Sequence, residues 1–98
     1  QETAAYLRAG LEALVVAHGD VFTGVRGAGL LLGLKCTPPN GDVQNAALAH
    51  GLLTVAAGDN VLRLAPPLII GKAECDEALE LLGEVAVQMT AKTEAAAK

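Results

Sequence analysis

Asp59-Asn60-Val61-Leu62-Arg63-Leu64-Ala65-Pro66-Pro67 is the stretch that decides how this chain folds. In an extended strand alternate side chains point to opposite faces, so Leu62 and Leu64 share one face while Val61, Arg63 and Ala65 share the other. Gly58-Asp59-Asn60 before it tolerates turn conformations, and the two prolines after it cannot donate to a sheet ladder. A strand over 61–65 follows. A second strand over 52–56 lies just upstream of the turn, and the two are expected to pair as a hairpin.

Working outward, 21–26 and 30–36 read as two further strands, with Gly27-Ala28-Gly29 supplying a sharp bend or bulge between them. Pro38-Pro39-Asn40-Gly41 reads as a turn, after which Asp42 caps a short helix through Ala49, stopped at His50-Gly51. In 3–18, Ala4, Leu7, Leu11, Leu14 and Val15 recur at helical spacing, with Arg8 and Glu12 as an i,i+4 pair on the other side. Gly19 is expected to end that helix in the left-handed conformation, with His18 in its last turn. A final helix is predicted over 72–90, with Cys75, Leu79, Leu82, Ala86 and Met89 along one face. The Ala-rich tail 91–98 has nothing apolar to anchor it and is expected to fray.

The order helix, two strands, helix, two strands, helix implies an α+β fold: a small three- to four-stranded, mainly antiparallel sheet covered on one side by helices. Both faces of that sheet carry apolar residues on this reading. The uncovered face is therefore expected to meet another part of a longer polypeptide or to promote self-association.

Composition narrows the function classes. At 98 residues and 52% hydrophobic, the chain is sized for one domain, 1–90 plus the tail. One Phe, one Tyr and no Trp leave no platform for stacking bases, and a net charge of −4 leaves no basic face, so no nucleic-acid partner is expected. No apolar run approaches the roughly 18 residues of a membrane span, so no membrane partner is expected either. Cys36 and Cys75 lack CxxC spacing and read as reduced structural thiols, which points to the cytoplasm. The start Gln1-Glu2-Thr3 has no initiator Met and no secretory signal, and is expected to be an internal cut in a longer chain.

Few residues carry chemistry. Gly27, Gly29 and Gly33 make GxGxxxG with Leu32 at the third fingerprint position, and they lead into a strand, where no helix N-terminus meets a phosphate. Gly71-Lys72 lacks the rest of a P-loop. No cofactor-binding residue is expected from these. His18 and His50 each precede a glycine at a helix end and read as caps; a metal pair would need further ligands, and no metal site is expected. Arg63 interrupts an apolar strand: it is either a solvent-facing or salt-bridged strand arginine, or a rigid bidentate clamp for a carboxylate. Arg26 has the same ambiguity, with a structural role bonding carbonyls around the Gly27 and Gly29 bend as the simpler reading.

The run Val25-Arg26-Gly27-Ala28-Gly29-Leu30-Leu31-Leu32-Gly33-Leu34 resembles the VRGxGLLxG segment of the class III, ornithine-type aminotransferases. Gly51-Leu52-Leu53-Thr54-Val55 and Asp59–Leu68 are similar to the stretch that ends their C-terminal small domain, and the likeness covers about 1–88. The resemblance implies that Arg63 is the arginine that holds the substrate carboxylate. It implies a parent enzyme, a homodimer using pyridoxal phosphate, that transfers an amino group between N-acetylornithine and 2-oxoglutarate, with ornithine, succinylornithine and 4-aminobutyrate as alternative donors. The Schiff-base lysine and phosphate loop of that family belong to a large domain upstream, so this piece is expected to hold no catalytic residue and to bind no cofactor by itself. The competing reading is a free-standing α+β module that binds small carboxylates without catalysis.

Overall fold

The computed structural model describes residues 2–27, 32–64 and 71–97. Helix α1 spans Glu2–Ala17, strands β1 and β2 span Phe22–Arg26 and Gly33–Cys36, and helix α2 spans Asn40–Ala49. Strands β3 and β4 span Thr54–Ala57 and Val61–Leu64, and helix α3 spans Lys72–Ala97. This is the α+β order read from the sequence.

The four strands form one sheet in the order β1-β2-β4-β3, with every neighbouring pair antiparallel. Two hairpins, β1–β2 and β3–β4, stand side by side and are joined through β2 and β4 in the register Gly33↔Arg63, Leu34↔Leu62, Lys35↔Val61. A bulge between Phe22 and Gly24 shifts the β1 register by one residue. The extra residue returns Phe22 to the core face opposite Cys36, while Val25 stays on that face opposite Leu34.

The core lies between this face and the helices. Phe22, Leu34, Leu62 and Leu64 are buried from the sheet side and meet Leu7, Leu11, Val43, Leu82 and Val85. Each such side chain contributes roughly 1.5–3 kcal/mol on burial. Helix α1 packs on β1, α2 on β3 and β4, and α3 on both other helices. Polar contacts tie the helices together at the rim: the Tyr6 hydroxyl donates to Asp76, Lys72 Nζ lies 5.4 Å from the Tyr6 ring centre, and the Thr90 hydroxyl donates to Asp20 Oδ2 at 2.5 Å.

Several local expectations are corrected. Helix α2 begins at Asn40, so Asn40 and Gly41 are its first residues, Pro39 occupies the N-cap and Asp42 lies in the first turn without capping. The Pro39 carbonyl accepts from the Asp42 and Val43 amides, so the second proline starts the helix where a turn was expected. Gly19 is not left-handed; the end of α1 is closed by the Val21 and Phe22 amides, both donating to the His18 carbonyl. Gly51, at φ 88°, is left-handed after α2. Helix α3 continues past Thr90 to Ala97, a stretch of strong helix formers. The strand ends expected at 30–31 and 65 lie outside the described residues, as does Gly29.

The outer face of the sheet is seen in part, since Leu31 and Ala65 lie outside the described residues. Among the described residues its two central rungs read Arg26, Gly33, Arg63, Val55 and Gly24, Lys35, Val61, Ala57. Glycines and cations hold most of these positions, and of the two valines Val61 is buried and Val55 exposed.

Candidate functional site

Arg63 lies on β4, an interior strand of the sheet, with Gly33 opposite it on one side and Val55 on the other. Its neighbours Leu62 and Leu64 are fixed in the core, whereas Arg63 itself is exposed on the outer face. Among the described residues no hydrogen bond or ion pair engages its guanidinium. A rigid strand thus presents an unengaged planar fork above a glycine. Gly33 has a steric reason: a Cβ there would lie 2.6 Å from the Leu62 carbonyl oxygen and 3.0 Å from Arg63 Cα.

The turn before β4 fixes that strand lengthwise. Asp59 and Asn60 both adopt left-handed backbone, φ 62° and 57°, as the Asp-Asn pair permits. Asn60 Nδ2 donates to the carbonyls of Cys36 and Pro38 at 2.7 and 2.8 Å, and its Oδ1 accepts from the Asn40 amide at 2.7 Å. Asn40 Nδ2 in turn donates to the Ala57 and Val61 carbonyls at 2.7 and 3.1 Å. Two asparagines therefore bind the ends of β2, β3 and β4 to the start of α2. From the sequence both read as turn residues; their long-range bonds join positions 17 to 24 apart and leave no local signature.

Lys35 shares the outer face. Its ammonium donates to the Asp59 carbonyl and pairs with the Asp59 carboxylate at 3.0 Å. That hydrogen bond, with the lysine charge, holds the Asp59 carboxyl below its ordinary range, and Arg26 adds a smaller pull. Arg26 Nη1 donates to the Val25 carbonyl at 3.1 Å and folds back over Gly24, where an added Cβ would lie 2.6 Å from it. The Gly27 carbonyl at the bend is taken by Arg8 Nη2 at 2.6 Å, and Gly27 has φ 94°.

The other sequence candidates lie elsewhere. His18 and His50 line an open cleft of about 570 Å³ in the helical layer together with Glu80, Glu84 and Gln88. His50 is the C-cap of α2, its amide donating back to the Ala46 and Ala47 carbonyls, and its Nε2 meets Gln88 Oε1 at 2.8 Å. Among the described residues no group of three His, Cys, Asp or Glu side chains is placed to hold a metal ion. Cys36 and Cys75 are buried, and burial pushes the Cys36 thiol up to about 11 and that of Cys75 above its usual value. No helix among the described residues is long and apolar enough to cross a membrane.

The family model "Aminotransferase class-III" matches residues 1–86. The acetylornithine aminotransferase of Rhodobacter capsulatus is 51% identical over 86 residues, covering 88% of this chain and 22% of that protein. That of Agrobacterium fabrum is 42% identical over 94% of this chain and 23% of its own length. The crystal structure of N-acetylornithine aminotransferase from Stenotrophomonas maltophilia superposes with a TM-score of 0.81 at 34% identity, over 93% of this chain and 26% of that one. The chain thus spans about a quarter of the length of these relatives.

Proposed function

The chain belongs to the class III aminotransferase family, and from that premise we propose that it is the C-terminal small domain of an acetylornithine-type aminotransferase, in which Arg63 binds the substrate carboxylate. The observation that carries this reading is the unengaged Arg63 guanidinium on an interior strand. A carboxylate accepts two parallel bonds from such a fork, and a charged hydrogen bond contributes about 1.5–3 kcal/mol. The substrates proposed are N-acetylornithine as donor and 2-oxoglutarate as acceptor, in a cytoplasmic homodimer.

Pyridoxal phosphate, the cofactor of this family, supplies the electron sink for amino transfer. Holding it takes an available amine in an enclosed site and a cradle for its phosphate. Neither Lys35 nor Lys72 meets that need: Lys35 is engaged by Asp59, and Lys72 lies over the Tyr6 ring at the surface. The cofactor is therefore assigned to the remainder of the enzyme, with a large domain as the partner of this one. The small share of each relative that this chain spans supports that division over a self-sufficient carboxylate-binding module.

The test is Arg63→Ala in the full-length enzyme. The expected result is a fall in kcat/KM for the amino acid of about tenfold or more, with cofactor occupancy retained. Unchanged kinetics would return Arg63 to a structural role.

A further inference from the structure

The two edges of the sheet are built differently. The order β1-β2-β4-β3 leaves β1 and β3 on the outside. An open edge presents unpaired N–H and C=O groups to any second strand, and folded proteins blunt it with bulges, charges or prolines. Strand β1 is blunted: the bulge between Phe22 and Gly24 breaks its register, and the Arg26 side chain folds back over Gly24. Strand β3 has none of these devices. It pairs with β4 in unbroken register, and 51–58 contains no charged residue and no proline.

The direction of the β3 main chain follows from its partner strand. The Leu64 amide donates to the Leu32 carbonyl, so the Leu64 main chain points toward β2. Thr54 is opposite Leu64, and its own N–H and C=O therefore point away from the sheet. Gln44 Nε2 meets the Thr54 carbonyl there, donating from α2 at 3.2 Å. Direction alternates along a strand, so Ala56 also points outward, and among the described residues its N–H and C=O have no partner. Ala56 is exposed, so no helix covers the edge at that point. Leu53 and Val55, 58% and 49% exposed, alternate with the buried Leu52 and Thr54 and flank the same edge.

We propose that β3 is a docking edge for a second copy of this chain, the two strands pairing antiparallel about a twofold axis at Val55. Thr54 lies opposite Ala56 of the second copy, and Ala56 opposite Thr54, which forms four main-chain bonds. The Thr54 carbonyl accepts one of them beside Gln44, since it has two lone pairs. The strand itself sets this register. A shift one way draws in Gly58 of the turn, and a shift the other way draws in Leu52, whose amide is already taken by the Ala47 carbonyl. In the proposed register Val55 faces Val55 and Leu53 faces Ala57, so an apolar row crosses the axis. A second copy fits because it brings the same row at the same spacing, and because the uncharged strip sets no like charges together although each chain carries −4. With one short strand from each copy, the contact belongs with weak interfaces. Nothing in it depends on the role of Arg63.

The experiment is sedimentation equilibrium of the 98-residue chain over a concentration series, with exchange of the Ala56 amide followed by NMR. A monomer–dimer equilibrium is expected, with a dissociation constant on the order of 0.1–1 mM, and the Ala56 amide should exchange more slowly as the dimer fills. Val55→Lys, at an exposed position, puts two ammonium groups on the axis and should weaken the dimer about fivefold or more. Ala56→Pro removes an N–H that the internal ladder does not use, a change an edge strand tolerates, and should leave a folded monomer. A wild-type chain that stays monomeric throughout, or an Ala56 amide that exchanges at one rate at every concentration, overturns the proposal. So does association that Ala56→Pro leaves intact, which would put the contact on a face of the molecule and not on its edge. If Ala56→Pro fails to fold, Val55→Lys decides alone, and a dimer as tight as wild type overturns the pairing.

Discussion

Asn40 and Asn60 hold each other's elements in place: the Asn40 amide donates to Asn60 Oδ1 at 2.7 Å, and each side-chain NH2 donates to two further carbonyls. Asn60→Gly keeps the left-handed backbone accessible but removes three bonds and leaves part-buried carbonyls unmet. A loss of about 1–3 kcal/mol is expected, read as a fall in Tm of about 4–8 °C per kcal/mol for a domain of this size. Asn60→Ala should be worse, since alanine also strains at φ 57°. Thermal unfolding that ranks alanine above glycine would show that backbone strain is absent.

Gly33→Ala probes the close approach of β2 to β4. The added methyl would meet backbone, the Leu62 carbonyl oxygen at 2.6 Å and Arg63 Cα at 3.0 Å, which cannot rotate away. Destabilisation of about 1–3 kcal/mol is expected from the forced shift. Gly41→Ala, where nothing lies within 4 Å of the new Cβ, is the control and should not destabilise through contact. Equal midpoints for wild type and Gly33→Ala in urea would contradict the packing described.

Burial of Cys36 sets a pH dependence. Its thiol ionises at about 11 in the folded chain, against an ordinary value of 9.0. Between those values the unfolded state gives up a proton that the folded state keeps, so stability present below pH 9 is lost as pH rises toward 11, by something on the order of 2 kcal/mol. Cys36→Ser removes that group and should flatten the decline. At pH 8, alkylation of Cys36 should be slow in the native chain and fast in denaturant; equal rates would mean that the site opens freely.

How much was readable beforehand follows from the range of each interaction. Strands 22–26, 33–36, 54–57 and 61–64 were visible because alternation and Gly or Pro punctuation are local. The pairing of β2 with β4 was not, since no turn connects them, and with it went the view of Lys35 beside Arg63. Arg63 could be singled out because a charge breaks an apolar strand. Asn40 and Asn60 could not, because their partners are set by the packing of the hairpins. The start of α2 was misread since two prolines before Asn-Gly suggest a turn, while Pro39 also suits a helix N-cap.

The lysines give a fourth expectation. The chain, incubated with pyridoxal phosphate and dialysed, should retain no cofactor absorbance, because Lys35 is paired with Asp59 and Lys72 lies at the surface, and neither offers an enclosed site. A band that survives dialysis and that borohydride fixes to one lysine would overturn this. In the full-length enzyme, Arg63→Lys should restore little of what Arg63→Ala loses, since an ammonium lacks the planar fork.

The sheet order has a dynamic consequence. Each hairpin is closed by a short connection, but β2 and β4 meet along a seam that side-chain packing, the ladder, the Lys35–Asp59 pair and the asparagine bonds hold shut. Such a seam is the natural line for sub-global opening, and its amides should exchange with solvent as one cooperative unit ahead of global unfolding. Arg63 and Lys35 stand on opposite banks of it. A contact that crosses between the banks, as the Lys35–Asp59 pair does, slows that exchange, so closure of the sheet is set by what spans the seam and not by either hairpin alone.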